Sequence, residues 1–116
     1  MDTKKEPKII KTDEMDKKFQ DALNEALTLF EVEEIIQVGI LELEGNTRLP
    51  SEGMSEHEDS QEFSFVIEGE VIIGTESGEK KVKEGELMYN QPGTKHYTRN
   101  GKSKPAKVLW FLAPPM

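Results

Sequence analysis

The chain has 116 residues, a net charge of −8 at pH 7, a sequence pI near 4.8 and no cysteine. A chain of this length is expected to form one domain around a single core. The lack of cysteine excludes disulfides, thiolate zinc sites and cysteine nucleophiles, and the acidic balance argues against a nucleic-acid partner.

The amino-terminal segment MDTKKEPKII mixes charges with one proline and has no apolar run. It predicts neither a signal peptide nor a membrane span, so we expect a cytoplasmic protein without a membrane partner. Residues 1–12 are expected to form a flexible tail, in which Ile9 and Ile10 could extend the edge of a sheet.

A helix is predicted over residues 13–30, with Thr12 or Asp13 as its amino-terminal cap. Apolar residues recur at helical spacing through this segment, namely Met15, Phe19, Leu23, Ala26, Leu27 and Phe30. This stripe predicts a helix that packs on a core or against a partner subunit.

After the helix the pattern changes to that of short strands. The strand-like segments are EEIIQVGILELEG, FSFVIEGEVIIGTESGEKKV, LMYNQPG, KHYTRN and KVLWFLA, separated by Gly, Pro, Asn or Ser. The second segment contains two strands joined at residues 68–70 and a third strand after a turn at residues 76–78. Short strands at regular spacing favour an antiparallel sandwich or barrel. The last segment is apolar on both faces, which is typical of a strand inside a closed sheet or at a dimer interface.

Two of these segments resemble the motifs of a known family. GELMYNQPGTKHYTRN is similar to the second motif of the cupin family, in which a glycine precedes a proline–glycine turn, a histidine and an asparagine. The positions in register are Gly85, Gly93, His96 and Asn100. Gln91 stands where the family usually has its first proline.

SEHEDSQEFSFVIEGE is similar to the first cupin motif. His57, Glu62 and Gly69 match, with four residues between His57 and Glu62 and six between Glu62 and Gly69. Both histidines of the chain therefore fall on motif positions. Ser55 occupies the position of the family's first histidine, and a full cupin site has three histidines and one glutamate.

The resemblance covers about residues 35–113 and is to the small, cupin-2-like members of the family. It implies an all-β fold, the cupin double-stranded β-helix (a jelly-roll-like barrel), with a short amino-terminal α-helix in a single domain over residues 13–116. It also implies a homodimer, because single-domain cupins commonly pair through edge strands.

The resemblance further implies a metal site formed by His57, Glu62 and His96. Two histidines and one carboxylate with open positions suit iron(II), and they also accept manganese, nickel, cobalt or zinc. By strand alternation, Ser64 and Val66 should share the inward side of Glu62, and Thr98 the side of His96. The residues expected on the opposite faces are Phe63, Phe65, Ile67, Tyr97 and Arg99.

Other interpretations of these residues stay open at the sequence level. His57 lies in a run of acidic residues (Glu52, Glu56, Glu58 and Asp59), which could equally be a solvated loop. His96 could be a cavity residue that only forms hydrogen bonds. Ser55 is a poor metal ligand, and Glu56 or water could take the missing position. Met54, Met88, Tyr89 and Trp110 are candidate pocket residues, although core or interface is the favoured place for Trp110.

Three functions follow from this pattern. The first is a metal-dependent enzyme that acts on a small polar molecule, with the ion as Lewis acid or redox centre. The second is a non-catalytic, metal-free cupin that binds a small ligand such as a sugar or an organic acid. The third is a structural or regulatory dimer. The sequence contains no GxGxxG, P-loop or HExxH motif, and nothing marks a serine as activated, so no further catalytic residue is assigned.

Overall fold

A computed structural model describes residues 5–116, which form one helix and nine strands. The elements are α1 (Thr12–Asp21), β1 (Leu27–Val32), β2 (Ile36–Leu43), β3 (Arg48–Leu49), β4 (Gln61–Glu68), β5 (Glu70–Thr75), β6 (Gly78–Lys83), β7 (Leu87–Asn90), β8 (His96–Arg99) and β9 (Ala106–Ala113). Each strand-like segment of the sequence forms at least one of these strands. Strands β1 and β3 were not predicted.

The strands form two antiparallel sheets. The five-stranded sheet has the order β1-β2-β9-β4-β7, and the four-stranded sheet has the order β3-β8-β5-β6. This is the predicted all-β double-stranded β-helix with a short amino-terminal helix. Consecutive strands β4 and β5 lie in different sheets, and Gly69 connects them at a φ of 80°, in the left-handed region that favours glycine.

The main core lies between the two sheets. Its buried residues are Leu41, Val66, Val71, Ile73, Val82, Ala106, Val108, Trp110 and Leu112. Strand β9 contributes alternate residues to this core, as the period of two requires. Trp110 is therefore a core residue, which confirms its favoured place. The opposite face of β9 is also apolar because Leu109 packs in a second cluster beneath the helix, with Phe19, Ala22 and Ile40.

Helix α1 is shorter than predicted. It begins at Thr12 and ends at Asp21, so the prediction of a helix as far as residue 30 is wrong beyond that point. The cap is also misplaced, because Lys11 rather than Thr12 or Asp13 is the N-cap residue. Met15 and Phe19 do pack on a core, as the stripe predicted.

The end of the helix has a tertiary cause. Asn24 adopts a φ of 56° and its N–H donates to the carbonyl oxygen of Glu42, so the chain joins the edge of β2. Leu27 then pairs with Ile40 in the β1–β2 ladder. Leu23, Ala26 and Leu27 fit a helical period, but strand pairing with a distant segment overrides that local preference.

The amino-terminal segment differs from the prediction in one respect. Ile9 and Ile10 extend no sheet edge, and the side chain of Ile9 is exposed. Residues 1–4 of the predicted tail lie outside the described residues. Within residues 5–116 no helix combines the length and the apolar character needed to cross a bilayer.

A polar cluster covers the outer face of the four-stranded sheet. Arg99 donates two hydrogen bonds of 2.8 Å to the carboxylate of Glu79, and the Tyr97 hydroxyl donates to the same carboxylate. The Tyr97 ring covers Gly74, where a Cβ atom would lie 2.0 Å from the ring, and the Arg48 guanidinium lies 4.0 Å from the ring centre. Tyr97 and Arg99 thus face away from the core, as alternation predicted.

This cluster predicts a pH-dependent contribution to stability. The hydrogen bonds from Arg99 and Tyr97 lower the pKa of Glu79 from 4.5 to about 2. Because the pKa of Glu79 is lower in the folded than in the unfolded protein, the ionised carboxylate stabilises the fold. This stabilisation is complete above the unfolded-state pKa near 4.5 and is lost as the pH falls toward 2. We expect Glu79→Gln to lower the melting temperature at pH 7, and the deficit to shrink between pH 4.5 and pH 2.

Thermal unfolding of both proteins between pH 2 and pH 7 measures this effect. Glu76→Gln, an exposed residue of the same hairpin, is the matched control and should leave the melting temperature nearly unchanged. High salt should reduce the deficit because the cluster is exposed to solvent. A Glu79→Gln deficit that is the same at pH 7 and pH 2 would contradict the assignment.

Candidate metal centre

The three residues predicted as metal ligands lie together at one end of the space between the sheets. Glu62 is the second residue of β4 in one sheet, and His96 opens β8 in the other. His57 lies in the loop before β4. One potential ligand atom from each of the three lies within 4.8 Å of the other two. The fold therefore brings both cupin motifs to a single point.

The distances in this cluster suit a shared ion. His96 Nε2 lies 3.2 Å from Glu62 Oε1, and His57 Nε2 lies 3.7 Å from Glu62 Oε2. Ligand atoms about 2.1 Å from one ion and about 90–110° apart are roughly 3.0–3.4 Å from each other. The His96–Glu62 distance falls in this range, the His57–Glu62 distance is slightly longer, and all three ligand atoms lie within 4.8 Å of one another.

The orientation of His96 leaves one ring nitrogen free for the site. Its Nδ1 lies 3.0 Å from the carbonyl oxygen of Thr94. Because a carbonyl only accepts, Nδ1 carries a proton, and Nε2 is the ring nitrogen that faces Glu62. Metal-binding histidines commonly donate their other ring N–H to a backbone carbonyl in this way. His96 is buried, so this orientation is also held by packing.

Glu62 has an orienting partner that the sequence analysis did not identify. Asn90 of β7 donates from Nδ2 to Glu62 Oε1 at 3.0 Å. The two residues are directly paired across β4 and β7, which places their side chains on the same face. In the sequence, Asn90 is visible only as a polar residue at the end of an otherwise apolar strand. Its contact with Glu62 depends on strand register, which the sequence does not show.

His57 is held in a neutral, partly buried state. Burial lowers its pKa, and nearby His96 lowers it further, while Glu62 acts in the opposite direction. A neutral imidazole is the form that binds metals. Its Nδ1 is buried and has no hydrogen-bond partner within the described chain. The side chain is 15% exposed, which disagrees with the alternative of a fully solvated loop residue.

The turn of the second motif supports the loop of the first. Gly93 has a φ of 80°, and its N–H donates to the carbonyl oxygen of His57 at 2.9 Å. A side chain at residue 93 would strain this backbone conformation. The turn of the second motif therefore contacts the loop of the first motif directly.

Ser55 lies beside the cluster at the position of the missing histidine. Its backbone N–H and carbonyl both bond to those of His96, at 2.7 and 2.9 Å. Directly opposed residues in an antiparallel pair present their side chains on the same face, so Ser55 faces the cavity that His96 lines. The acidic residues around His57, including Glu56, are exposed to solvent, and none of them is in the ligand cluster.

A cavity of about 240 Å³ extends from the cluster into the core. Ser64, Val66 and Thr98 line it, as strand alternation predicted. Met88 and Trp110 also line it, whereas Met54 and Tyr89 do not and are exposed.

Asn100, the last residue of the second motif, has a structural role. It is buried, and its Nδ2 donates to the carbonyl oxygens of Leu43 and Lys104 at 3.0 and 2.7 Å. Its Oδ1 accepts from the N–H of Lys102 at 2.9 Å. Asn100 thus ties the loop between β8 and β9 to the end of β2 and is separate from the metal cluster.

Comparisons with known proteins agree with this fold. Residues 42–112 match the family model of the Cupin domain. No curated protein matches the chain.

Several solved structures are similar to the chain. A Klebsiella pneumoniae protein with a double-stranded β-helix domain is 19% identical, with a TM-score of 0.77 over 94% of this chain and 91% of that one. A protein from Bacillus halodurans is 19% identical, with a TM-score of 0.75 over 95% and 84% of the two chains. A protein from Thermus thermophilus is 24% identical, with a TM-score of 0.67 over 77% and 81%. At these identities the likeness concerns the fold.

Proposed function

The chain belongs to the cupin family, and on that premise we propose that it binds one divalent metal ion through His57, Glu62 and His96. The ion then contacts a small molecule held in the adjacent cavity, which the protein acts on or binds. The observation that carries this proposal is the convergence of the three ligand atoms within 4.8 Å, from two sheets and one loop.

The surrounding residues have defined parts in this function. The carbonyl of Thr94 keeps His96 Nε2 directed at the site, and Asn90 orients the carboxylate of Glu62. A bound divalent ion of the iron, manganese, nickel, cobalt or zinc type would supply Lewis-acid or redox chemistry. Three protein ligands leave positions open for oxygen atoms of the small molecule.

Metal analysis of the purified protein tests the proposal. Protein prepared without chelator should contain close to one equivalent of a transition metal. After chelator treatment, addition of manganese, iron(II), cobalt, nickel or zinc should raise the melting temperature, because an ion at about 100 times its Kd stabilises the fold by about 2.7 kcal/mol. The absence of both retained metal and stabilisation by any of the five ions would overturn the proposal.

A metal-free, ligand-binding cupin is the second candidate. The neutral hydroxyl of Ser55 at the fourth ligand position and the unpartnered Nδ1 of His57 favour it, because both weaken a metal site. Stabilisation by a small metabolite in the presence of chelator, without any response to metals, would select this candidate. The cytoplasmic location predicted from the sequence stays a prediction.

We also propose a homodimer formed through the outer face of the five-stranded sheet. The register aligns one uncharged row across all five strands: Phe30, Val38, Phe111, Phe63 and Tyr89. Phe63 is 37% exposed and Tyr89 51% exposed, and their ring centres are 5.0 Å apart. In a chain with a net charge of −8, an uncharged face is where a second copy approaches with the least repulsion.

Phe63→Glu should convert the dimer into a monomer. In the dimer, the new carboxylate of each subunit would lie in an apolar interface close to that of the other subunit. An unpaired charge in such an interface is strongly unfavourable. Sedimentation velocity of the wild type and the variant measures the change. Lys81→Gln, on the outer face of the other sheet, changes the net charge equally and should stay dimeric. A monomeric wild type would contradict the proposal.

A further inference from the structure

The cavity next to the metal cluster is polar at one end only. His57, Glu62 and His96 lie at that end. Two residues further along β4 and β8, the inward side chains are Ser64 and Thr98, and a strand rise of about 3.3 Å per residue places them roughly 7 Å deeper. Polar groups therefore decrease with distance from the cluster.

The remaining wall is aliphatic. The side chains that line it include Leu41, Val66, Val71, Ile73, Val82 and Val108. Val66 and Val108 are directly paired across β4 and β9, two residues beyond Ser64. A hydroxyl group of a ligand at that depth would have no partner, which is unfavourable for a buried polar group.

Trp110 adds ring surface to the wall partway along the cavity. It pairs with Ser64 across β4 and β9, so it lies at the same depth. The edge of its ring packs where a Cβ atom of Gly39 would lie 2.0 Å away. Trp110 is 8% exposed and lines the cavity, while its Nε1 has an accessible area below 1 Å². A ligand at this depth therefore meets the apolar ring and not the indole N–H.

The volume limits the size of the ligand. About 240 Å³ is below the range of roughly 300–1,000 Å³ that holds drug-sized ligands. At about 30 Å³ for each water-sized unit, it has room for roughly eight non-hydrogen atoms.

From these features we infer that the ligand is a small amphiphilic acid. Its carboxylate binds the ion held by the His57–Glu62–His96 cluster, and its aliphatic body occupies the apolar part of the cavity. This inference rests on the proposed metal site, and it excludes sugars and other polyhydroxy compounds as the natural ligand.

Three probes of similar size test the ligand class on the zinc-loaded full-length protein. Isothermal titration should give hexanoate a Kd at least tenfold lower than that of threonate, which carries a carboxylate on a polyhydroxy body, even though the 2-hydroxyl of threonate can add a second contact to the zinc ion. Hexanol, which lacks the carboxylate, should bind at least tenfold more weakly than hexanoate. Trp110 is the only tryptophan of the chain, so its fluorescence should change as hexanoate binds.

Two variants test the residues that carry the inference. Val66→Thr, nearly equal in volume, should weaken hexanoate at least fivefold, and Val32→Thr at an exposed position is the matched control.

The outcomes separate this inference from the metal proposal. Zinc binding together with equal or tighter binding of threonate overturns the amphiphilic ligand and leaves the metal centre intact. Hexanoate that binds equally well with zinc and with chelator overturns the carboxylate–metal contact. Absence of zinc binding itself overturns the proposed function, and is seen before any acid is added.

Discussion

His96→Ala is expected to weaken metal binding by about 100-fold or more. The substitution removes one of three protein ligands, and loss of a group that merely orients a ligand typically costs about 10- to 100-fold in metal affinity. The remaining pair, His57 and Glu62, has a separation of 3.7 Å and no partner from the four-stranded sheet. Competition titration of the chelator-treated protein with zinc or cobalt measures the affinity.

A graded set of variants makes this prediction specific. Glu62→Gln keeps the shape of the side chain but removes its charge, so it should also lose most of the affinity. Asn90→Ala removes only the hydrogen bond that orients Glu62, and we expect a smaller loss of about 10- to 100-fold. Glu58→Gln, in the exposed acidic loop, is the matched control for Glu62 and should bind as the wild type does.

Ser55→His should act in the opposite direction. Because Ser55 is directly opposite His96 and faces the same cavity, a histidine there can supply a fourth ligand. We expect at least a tenfold gain in affinity for zinc. Unchanged affinity in His96→Ala, with folding confirmed by circular dichroism, would refute the ligand assignment. A Ser55→His variant that binds no more tightly would refute the geometry inferred for the fourth position.

Asn100→Ala is expected to destabilise the protein by about 3 kcal/mol. The side chain makes three hydrogen bonds to backbone groups, with lengths of 3.0, 2.7 and 2.9 Å. Each typically contributes about 1 kcal/mol, and buried groups left without a partner add to the loss. The melting temperature should fall by roughly 10 °C. Urea and thermal unfolding of the chelator-treated protein measure the effect without a contribution from metal.

Two further substitutions distinguish the loss of the Asn100 hydrogen bonds from the effect that any substitution in the β8–β9 loop could have on stability. Asn100→Asp keeps the acceptor for Lys102 but replaces Nδ2, which donates to the carbonyls of Leu43 and Lys104, with an oxygen atom that cannot donate to either, so it should destabilise at least as strongly as alanine. Ser103→Ala, in the same loop and exposed, should change the stability by less than about 0.5 kcal/mol. Equal effects of Asn100→Ala and Ser103→Ala would contradict the role assigned to Asn100.

The residues of the site show what strand alternation and motif spacing can predict. Alternation along β4 correctly predicted that Ser64 and Val66 share the side of Glu62, because side chains in any strand alternate regardless of its neighbours. The motif spacings pointed to His57, Glu62 and His96, which the fold places within 4.8 Å of one another. Their role as metal ligands stays a proposal.

The amino-terminal third shows where local pattern fails. Leu27 and Phe30 fit a helical stripe and also fit strand β1, since apolar residues three apart satisfy both periods when a bulge intervenes. The choice depends on the free edge of β2, which accepts the segment by pairing with it. No local feature of residues 22–32 contains that information.

By itself the sequence determined an all-β sandwich or barrel and the faces of the strands, because these depend on residue type and on short, regular spacing. Its resemblance to the cupin motifs indicated the double-stranded β-helix and the three residues proposed as metal ligands. Only the tertiary structure decided that Asn90 orients Glu62, that the helix ends at Asp21 and that the cavity is polar at one end. The reason is that strand register and packing join residues far apart in the chain, and a period of two reveals the face of a side chain but never its neighbour.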